Sequence, residues 1–268
     1  MHRAKILILA SLAALTVAFG GAAQAGAATV TVVHGVPGLA VDVYVNDELT
    51  LEGFEPGTIT DPLELPAGEY EIAVREAGAA PDADPAISGS AAVEDSTNAS
   101  IVAHLDAGGQ PVLSVFVNDT SAIAAGEARV SVRHTAAAPA VDVLANDQAL
   151  IQGLENPNEE TATVPAGSYS VAVAAAGTTD PVIGPADLTL EDGTAYAVYA
   201  IGSLEEDNLD LLVQAIPGIG SAPGGAAAGD SGLLSDGGFP IWAMALVVLA
   251  AASALASGAA LARARSRI

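Results

Sequence analysis

The fold is decided by the stretch Val30-Thr-Val-Val-His34 with Ala40-Val-Asp-Val43 after it, which returns one hundred residues later as Val130-Ser-Val-Arg-His134 and Ala140-Val-Asp-Val143. Later pairs keep this spacing to within one residue: Asn46-Asp47 and Asn146-Asp147, Gly53 and Gly153, and Pro66-Ala-Gly-Glu-Tyr70 and Pro165-Ala-Gly-Ser-Tyr169. Self-similarity at a fixed period indicates an internal repeat. The chain is therefore a tandem duplication of two units, each as long as a small domain.

Within each unit the hydrophobic residues follow a period of two. Apolar residues alternate with polar or small ones along 41–46, 69–75 and 168–173, which is the pattern of strands buried on one face. Turn signals rich in Pro, Gly, Asn and Asp separate these strands. About seven short strands per unit predict an all-β fold of two tandem immunoglobulin-like antiparallel β-sandwiches. Because the chain has no Cys and its one Trp lies near the C-terminus, aliphatic packing must hold each sandwich together.

The two ends of the chain predict export and anchoring. Residues 1–25 combine a basic start, an apolar run and the small-residue site Ala23-Gln24-Ala25, which are the parts of a secretory signal peptide. An uncleaved anchor helix is the alternative. Residues 239–262 are uncharged, apolar and long enough to cross a bilayer, and the basic tail 263–268 predicts a cytoplasmic C-terminus. A buried helix and a covalent wall anchor are the alternatives for this stretch.

The predicted ends divide the chain into six parts. After the signal peptide come a first β-sandwich domain at 26–125, a second at 126–216, and a stalk at 217–238 whose Gly, Ala and Pro residues cannot pack a core. The transmembrane helix and the tail follow. We therefore expect an exported protein that crosses the cell membrane once, with its ectodomain outside.

The exported part is strongly acidic. The chain carries 8 Lys and Arg against 32 Asp and Glu, and Arg75, Arg129 and Arg133 are the basic residues that remain between the signal peptide and the tail. Such a surface repels phosphate backbones, which excludes a nucleic-acid binder that works through a basic patch. The absence of Cys excludes disulfide scaffolds, thiolate metal sites and Cys nucleophiles. The acidity indicates either attraction of basic partners or adaptation to a saline habitat.

Two longer motifs carry a resemblance to a known family. Residues 32–47 and 65–70, with their second copies at 132–147 and 164–169, resemble the 4397 family of domains of unknown function, which occurs in secreted and surface proteins of bacteria. The resemblance extends over about residues 29–216. It implies a β-sandwich and an exported setting, and it implies no known activity.

The chain departs from the family pattern at the opening loop. Family members often carry a His-Ala-Ser-Pro-Asp-like opening, where this chain has His34-Gly-Val-Pro-Gly and His134-Thr-Ala-Ala-Ala. If that loop contacts a ligand in the family, its contact residues do not carry over to this chain.

Each unit places a carboxylate eight residues after its strand-end His. His34 precedes Asp42 and His134 precedes Asp142, and strand parity points both imidazoles towards the core. We interpret each pair as a buried polar link that fixes the first loop on the sandwich. The alternative is an acid/base pair, but the sequence has no nucleophile elbow and no third ligand for a His metal site. We therefore expect no enzyme activity, no catalytic residue and no cofactor.

Clusters of oxygen ligands make calcium the alternative to a metal-free protein. They are Asp42, Asn46, Asp47 and Glu48 in the first unit, and Glu155, Asn156, Asn158, Glu159 and Glu160 in the second. Calcium prefers such ligands, but neither run has the spacing of a dedicated calcium loop. Among these residues Asn46 and Asp47, together with Tyr44 on the outward parity of its strand, form a candidate binding surface.

These observations predict a membrane-anchored surface protein with a binding or adhesive role towards a protein or a wall polymer. The loops after His34 and His134 are the predicted contact regions. The alternative is a passive spacer or coat component of the cell envelope that has no specific ligand.

Overall fold

The computed structural model describes residues 26–220. The predicted signal peptide, transmembrane helix and basic tail, and all but the first four residues of the predicted stalk, lie outside these residues. The described part is all-β, as the sequence predicts, and contains no helix. Between residues 26 and 220 there is accordingly no helix long and apolar enough to cross a membrane.

Nine strands form the first half of the described region. They are β1 (Ala27–His34), β2 (Val41–Val45), β3 (Glu48–Phe54), β4 (Thr58–Ile59), β5 (Leu63–Pro66), β6 (Gly68–Glu76), β7 (Ile87–Val93), β8 (Asn98–Leu105) and β9 (Pro111–Val117). One sheet has the strand order β3-β2-β6-β7. The other has the order β4-β1-β8-β9, with β5 also paired to β1.

Eight strands form the second half. They are β10 (Glu127–His134), β11 (Val141–Ala145), β12 (Gln148–Leu154), β13 (Glu159–Pro165), β14 (Gly167–Ala175), β15 (Pro181–Leu190), β16 (Ala195–Ile201) and β17 (Asp210–Ile216). Its sheets have the orders β12-β11-β14-β15 and β13-β10-β16-β17. The repeat in the sequence is thus a repeat of strand order.

Each half encloses its own hydrophobic core between its two sheets, made mostly of the aliphatic residues that the period of two selects. In the first half the core includes Ala28, Val30, Val43, Ile72, Val74 and Ile101. In the second half it includes Val130, Val132, Val143, Val173, Tyr196 and Val198. At about 25 cal/mol per Å² of buried apolar surface, such side chains are the main source of stability.

A tight turn joins β2 to β3 and an equivalent turn joins β11 to β12. Asn46 and Asp47 have φ values of 50° and 65°, and Asn146 and Asp147 have values of 50° and 61°. Positive φ at both central residues is the requirement of a type I′ turn, whose twist matches that of the two strands it connects. Asn and Asp accept this conformation more readily than other non-Gly residues, so the sequence determines the turn locally.

The two halves form one compact unit rather than two separate bodies. The sheet that contains β1 and β8 faces the sheet that contains β10 and β16, and a third apolar cluster lies between them. Its buried members are Val33, Val102, Ala197, Tyr199 and Ile201. We call this contact the joint. The sheets are therefore stacked in four layers, with a core in each half and the joint in the middle.

Two features differ from a simple antiparallel sandwich. In each half the first strand pairs in parallel with the penultimate one, β1 with β8 and β10 with β16. The first half also breaks one edge strand into the two short pieces β4 and β5, where the second half keeps the continuous strand β13. The first half has one more residue than the second between the equivalent points Gly53 and Pro66. The chain leaves the sheet after Thr60, whose N–H still donates to Val32 O at 3.0 Å.

Candidate binding site at the loop end of the molecule

The two strand-end histidines occupy equivalent, fully buried positions. His34 and His134 are each 1% exposed. Nε2 of His34 lies 3.2 Å from the carbonyl oxygen of Leu39, and Nε2 of His134 lies 2.9 Å from that of Pro139. A carbonyl only accepts, so the proton must reside on Nε2, and Nδ1 is then a lone pair with no partner. Each imidazole ties the loop that follows its own strand back onto the sandwich.

Burial also determines the charge of these two side chains. It lowers the pKa of His34 and of His134 below the ordinary value of a His side chain, and the nearby backbone carbonyls only partly oppose this effect. The cause is the cost of placing a charged imidazolium in an apolar surrounding. Both rings are therefore neutral at neutral pH, which agrees with a role in holding loops.

The predicted His–Asp pairs do not form. No hydrogen bond joins His34 to Asp42; instead Asp42 Oδ1 accepts the N–H of Gly53 at 2.7 Å and its Oδ2 accepts that of Gly78 at 2.9 Å. In the second half Asp142 accepts the equivalent N–H groups of Gly153 and Gly177. The carboxylate lies on the next strand, where each of its oxygens accepts a backbone N–H, and the imidazole donates to a loop carbonyl instead. We call this arrangement the Asp clamp.

The candidate surface formed by Tyr44, Asn46 and Asp47 is largely structural. Tyr44 is only 7% exposed, because the guanidinium of Arg75 lies 4.5 Å above its ring centroid. This corrects the assignment of Tyr44 to a binding surface. Asn46 Oδ1 accepts the N–H of Glu71 at 2.9 Å, so its side chain supports the turn. Asp47 is exposed, and its side chain makes no hydrogen bond to the described residues.

The predicted calcium ligands are engaged elsewhere or spread apart. Both oxygens of Asp42 belong to the clamp, and Glu159 pairs with Arg133. Asn156 donates from Nδ2 to the carbonyl oxygens of Leu105 and Ala136, at 2.9 Å and 2.7 Å. Within residues 26–220 no group of three or more His, Asp or Glu side chains is arranged to hold a metal ion. The hydrogen bond from Asn156 to Leu105 O connects the second half to the first.

The loops after His34 and after His134 lie at the same end of the molecule. The N–H of Gly35 donates to Ala103 O at 2.7 Å, and a Cβ added at Gly35 would stand 2.9 Å from Ile201 in the other half. Across the joint, His104 lies close enough to His134 for a charge on one to lower the pKa of the other. We call this end, formed by the loops 35–40, 106–110, 135–140 and 202–209, the loop end.

A cleft of about 370 Å³ opens at the loop end between the halves. One wall is the β8–β9 turn at 107–109, and the other walls are the loops at 137–139 and 203–205. Most lining residues are Gly, Ala, Pro or Ser, so backbone groups are accessible. Leu204, which is 41% exposed, and Glu205 are its larger side chains. The cleft can therefore admit a narrow chain and contact it through backbone, one apolar and one acidic group.

A buried polar network in the joint was not predicted from the sequence. Arg133 is 1% exposed and donates to Glu159 Oε2 at 2.5 Å, to Tyr199 Oη at 2.7 Å and to Asn118 Oδ1 at 2.7 Å. The amide of Gln214 then connects Tyr199 to the first half through Ser100 and Thr31. The only signal in the sequence is that Arg133 replaces the Val33 of the first copy.

Comparison with known families gives one match. The family model described as domain of unknown function (DUF4397) matches residues 28–144 and 135–224. The match confirms the family suggested by the motifs and its two copies. No curated protein matches the chain.

Proposed function

Because this chain belongs to the DUF4397 family of domains of unknown function, whose description assigns no activity, we propose its function from its own geometry. It is a membrane-anchored cell-surface binding module that engages a protein or a wall polymer through the loop end, without catalysis. The sequence features of export and anchoring support the setting, and the cleft supports the role.

One observation carries the proposal. Loops of both halves lie at one end of a single compact unit, and an open cleft of about 370 Å³ lies between the β8–β9 turn of the first half and the loops at 137–139 and 203–205 of the second. A passive spacer has no need for this convergence. Loops held on a rigid β scaffold are also the usual place for recognition. Here the buried imidazoles and the bonds of Asn156 hold them in place.

We further propose that each half is an immunoglobulin-like sandwich. Two facing sheets with hairpin connections support this assignment, and so does a feature of the Pro-Ala-Gly corner. Tyr70 donates its hydroxyl to Pro66 O at 2.6 Å, and Tyr169 donates to Pro165 O at 2.7 Å. A Tyr that bonds back to the backbone a few residues upstream is the tyrosine corner of such folds. In those folds recognition loops cluster at the ends of the sandwich.

The proposal is tested by sedimentation with a cell-wall fraction of the same organism. The full chain is held in lipid nanodiscs and pelleted with wall fragments, in calcium and in chelator, at moderate salt. We expect saturable binding, and we expect the double variant Leu39→Ser/Leu204→Ser to weaken it at least 10-fold. Both leucines are exposed on loop-end loops, so the melting temperature should stay almost unchanged.

The matched control removes two exposed leucines from the opposite end. Leu49 and Leu150 follow the type I′ turns and are 43% and 37% exposed, so Leu49→Ser/Leu150→Ser should bind as the unchanged chain does. Equal loss in both double variants would reject the loop end as the contact surface. Absence of saturable binding to wall fragments in both buffers would reject a wall polymer as the partner.

A further inference from the structure

The core of the first half is incompletely filled. A cavity of about 110 Å³ lies between its sheets, whereas the equivalent space in the second half is about 30 Å³. Its lining is apolar except for His34, Thr50 and Tyr70, and includes Val43, Leu51, Phe54, Leu65, Ile72 and Ile101. An apolar cavity of this order stays dry and accepts a small hydrocarbon. It shares no lining residue with the loop-end cleft.

Smaller side chains in the first half contribute to the difference between the halves. Thr50 lines the cavity where Leu150 lines the equivalent space of the second half. By strand register, the core residue Ala99 occupies the position that Tyr196 fills in the second half. One edge of the first half also has the two short strands β4 and β5 in place of a continuous strand.

This edge also connects the cavity with the surface. Leu51, Phe54 and Leu65, which line the cavity from the edge strands β3 and β5, are only half-buried. In the second half Ile151 and Leu154 are 8% and 3% exposed. We call the gap between β3 and β5 the seam. Its counterpart in the second half is more closed, because only Val164 of the three equivalent residues is half-buried there.

Acidic residues lie on the two segments that flank the seam. Glu48 and Glu52 are exposed on β3, and Asp61 and Glu64 are exposed at β5, where Glu64 accepts from the hydroxyl of Thr29 at 3.0 Å. The three arginines of the described region are bound elsewhere: Arg75 lies over Tyr44, Arg129 pairs with Asp119, and Arg133 lies in the joint. A ligand whose head group remains at the seam therefore meets negative charge without a compensating cation, which favours an ammonium and disfavours a carboxylate.

We propose that the first half binds the alkyl end of a cationic amphiphile, with the chain in the cavity and the ammonium group at the acidic seam. The volume accommodates roughly four to five methylene-sized groups, by comparison with the ~150 Å³ cavity that accepts benzene. The ligand class is a short primary alkylammonium, because a longer chain could not lie in the cavity while its ammonium group stays at the seam. This inference is independent of the proposed function at the loop end.

The test is a methyl NMR titration of the full chain in nanodiscs of uncharged lipid, with carbon-13 labels on the Ile, Leu and Val methyl groups. The ligands are n-hexylammonium, ethylammonium and hexanoate. We expect n-hexylammonium to shift the methyl signals of Leu51, Leu65 and Ile72 with saturation. Ethylammonium, which keeps the charge and lacks the chain, and hexanoate, which keeps the chain and reverses the charge, should each bind at least 10-fold more weakly. Octadecylammonium placed in the bilayer has a chain too long for the cavity, so it should leave these signals unchanged, and a saturable response to it would contradict the proposed placement.

A cavity-filling pair of variants locates the site. Val43→Phe fills the cavity of the first half and should abolish the response, while the matched Val143→Phe in the second half should leave it intact. If Val43→Phe does not fold, Val43→Leu should reduce the affinity in proportion to the volume it fills. Equal shifts with hexyl- and ethylammonium, or unchanged binding in the folded Val43 variants, would overturn the proposal. The loop-end variants should bind n-hexylammonium normally, so this test does not depend on the other.

Discussion

Three histidines show how burial, rather than a partner, determines the chemistry of single residues in this protein. His34 and His134 each retain a lone pair without a partner, whereas His104 donates to Leu105 O and accepts from the hydroxyl of Ser114. Burial is the largest cause of the lowered pKa of all three. A neutral imidazole contributes two directed hydrogen-bonding atoms without the desolvation cost of a charge.

Stability should fall as the pH is lowered from 7.5 to 5.5. The pKa of each His is lower in the folded chain than in the unfolded chain, so below about pH 6.5 the unfolded chain binds protons that the folded chain does not. Each His then contributes up to about 1.4 kcal/mol of destabilisation per pH unit. Urea unfolding at fixed salt measures the free energy of unfolding at each pH, and so the slope of stability against pH.

The variant His34→Phe is the control for this pH dependence. It removes one titrating group and keeps an aromatic ring in the core, so the slope should become shallower while the remaining two histidines still contribute. A stability that stays flat between pH 7.5 and 5.5 in the unchanged chain would contradict the buried neutral state.

At the scale of the strands, one carboxylate in each half holds three elements in register. The pairing of β2 with β3 shifts between Val41 and Val43, and Gly53 at this bulge has a φ of 61°. A bulge turns a backbone N–H away from the ladder, and Asp42 accepts it. The second oxygen of Asp42 accepts from Gly78 after β6. The Asp clamp therefore joins β2 to the bulge of β3 and to the β6–β7 connection.

Asp42→Asn should destabilise the fold by about 1–3 kcal/mol. An amide has one accepting oxygen, so one of the two glycine N–H groups loses its partner and faces an NH₂ group instead. Asp142→Asn should have the same effect, because the second half repeats the geometry. Urea unfolding checks both. Asp47→Asn is the matched control, since Asp47 is exposed, and a loss as large as that of Asp42→Asn would refute the clamp.

For the whole molecule, the joint makes two copies of one fold into a single unit. Among the described residues, Arg133 has the only buried guanidinium between the two halves. Its Cζ atom also lies 4.6 Å from the ring centroid of Phe116. Removing one member of such a network leaves the others buried without partners. We therefore expect the two halves to unfold together.

Arg133→Met should cost about 3 kcal/mol, at the low end for loss of one buried ion-pair partner, since the Glu159 side chain remains 30% exposed. It should also split a single urea transition into two, because the halves keep separate cores. Arg129→Met is the control on the same strand. Arg129 donates to Asp119 O, Ser121 O and Ser121 Oγ, which lie outside the joint, so we expect a loss of about 1–3 kcal/mol and one transition. Two transitions in the unchanged chain would contradict the cooperative joint.

The sequence by itself determined the duplication, the all-β class and the positions of many strands and turns. These features depend on local rules: alternation buries one face of a strand, and Asn-Asp accepts the positive φ values of a two-residue turn. The motifs also identified the family. The inward direction of His34 and His134 follows from the same alternation.

Only the tertiary structure decided which polar groups meet. Asp42 finds its partners 11 and 36 residues away, and no local pattern distinguishes Gly53 and Gly78 from His34 as its neighbour. Thr31, Val33 and Arg133 lie on strand faces that alternation predicts to be outside, and they are buried because the other half covers them. The cleft, the joint and the open seam likewise arise from contacts between elements distant in sequence, where packing of whole sheets decides the outcome.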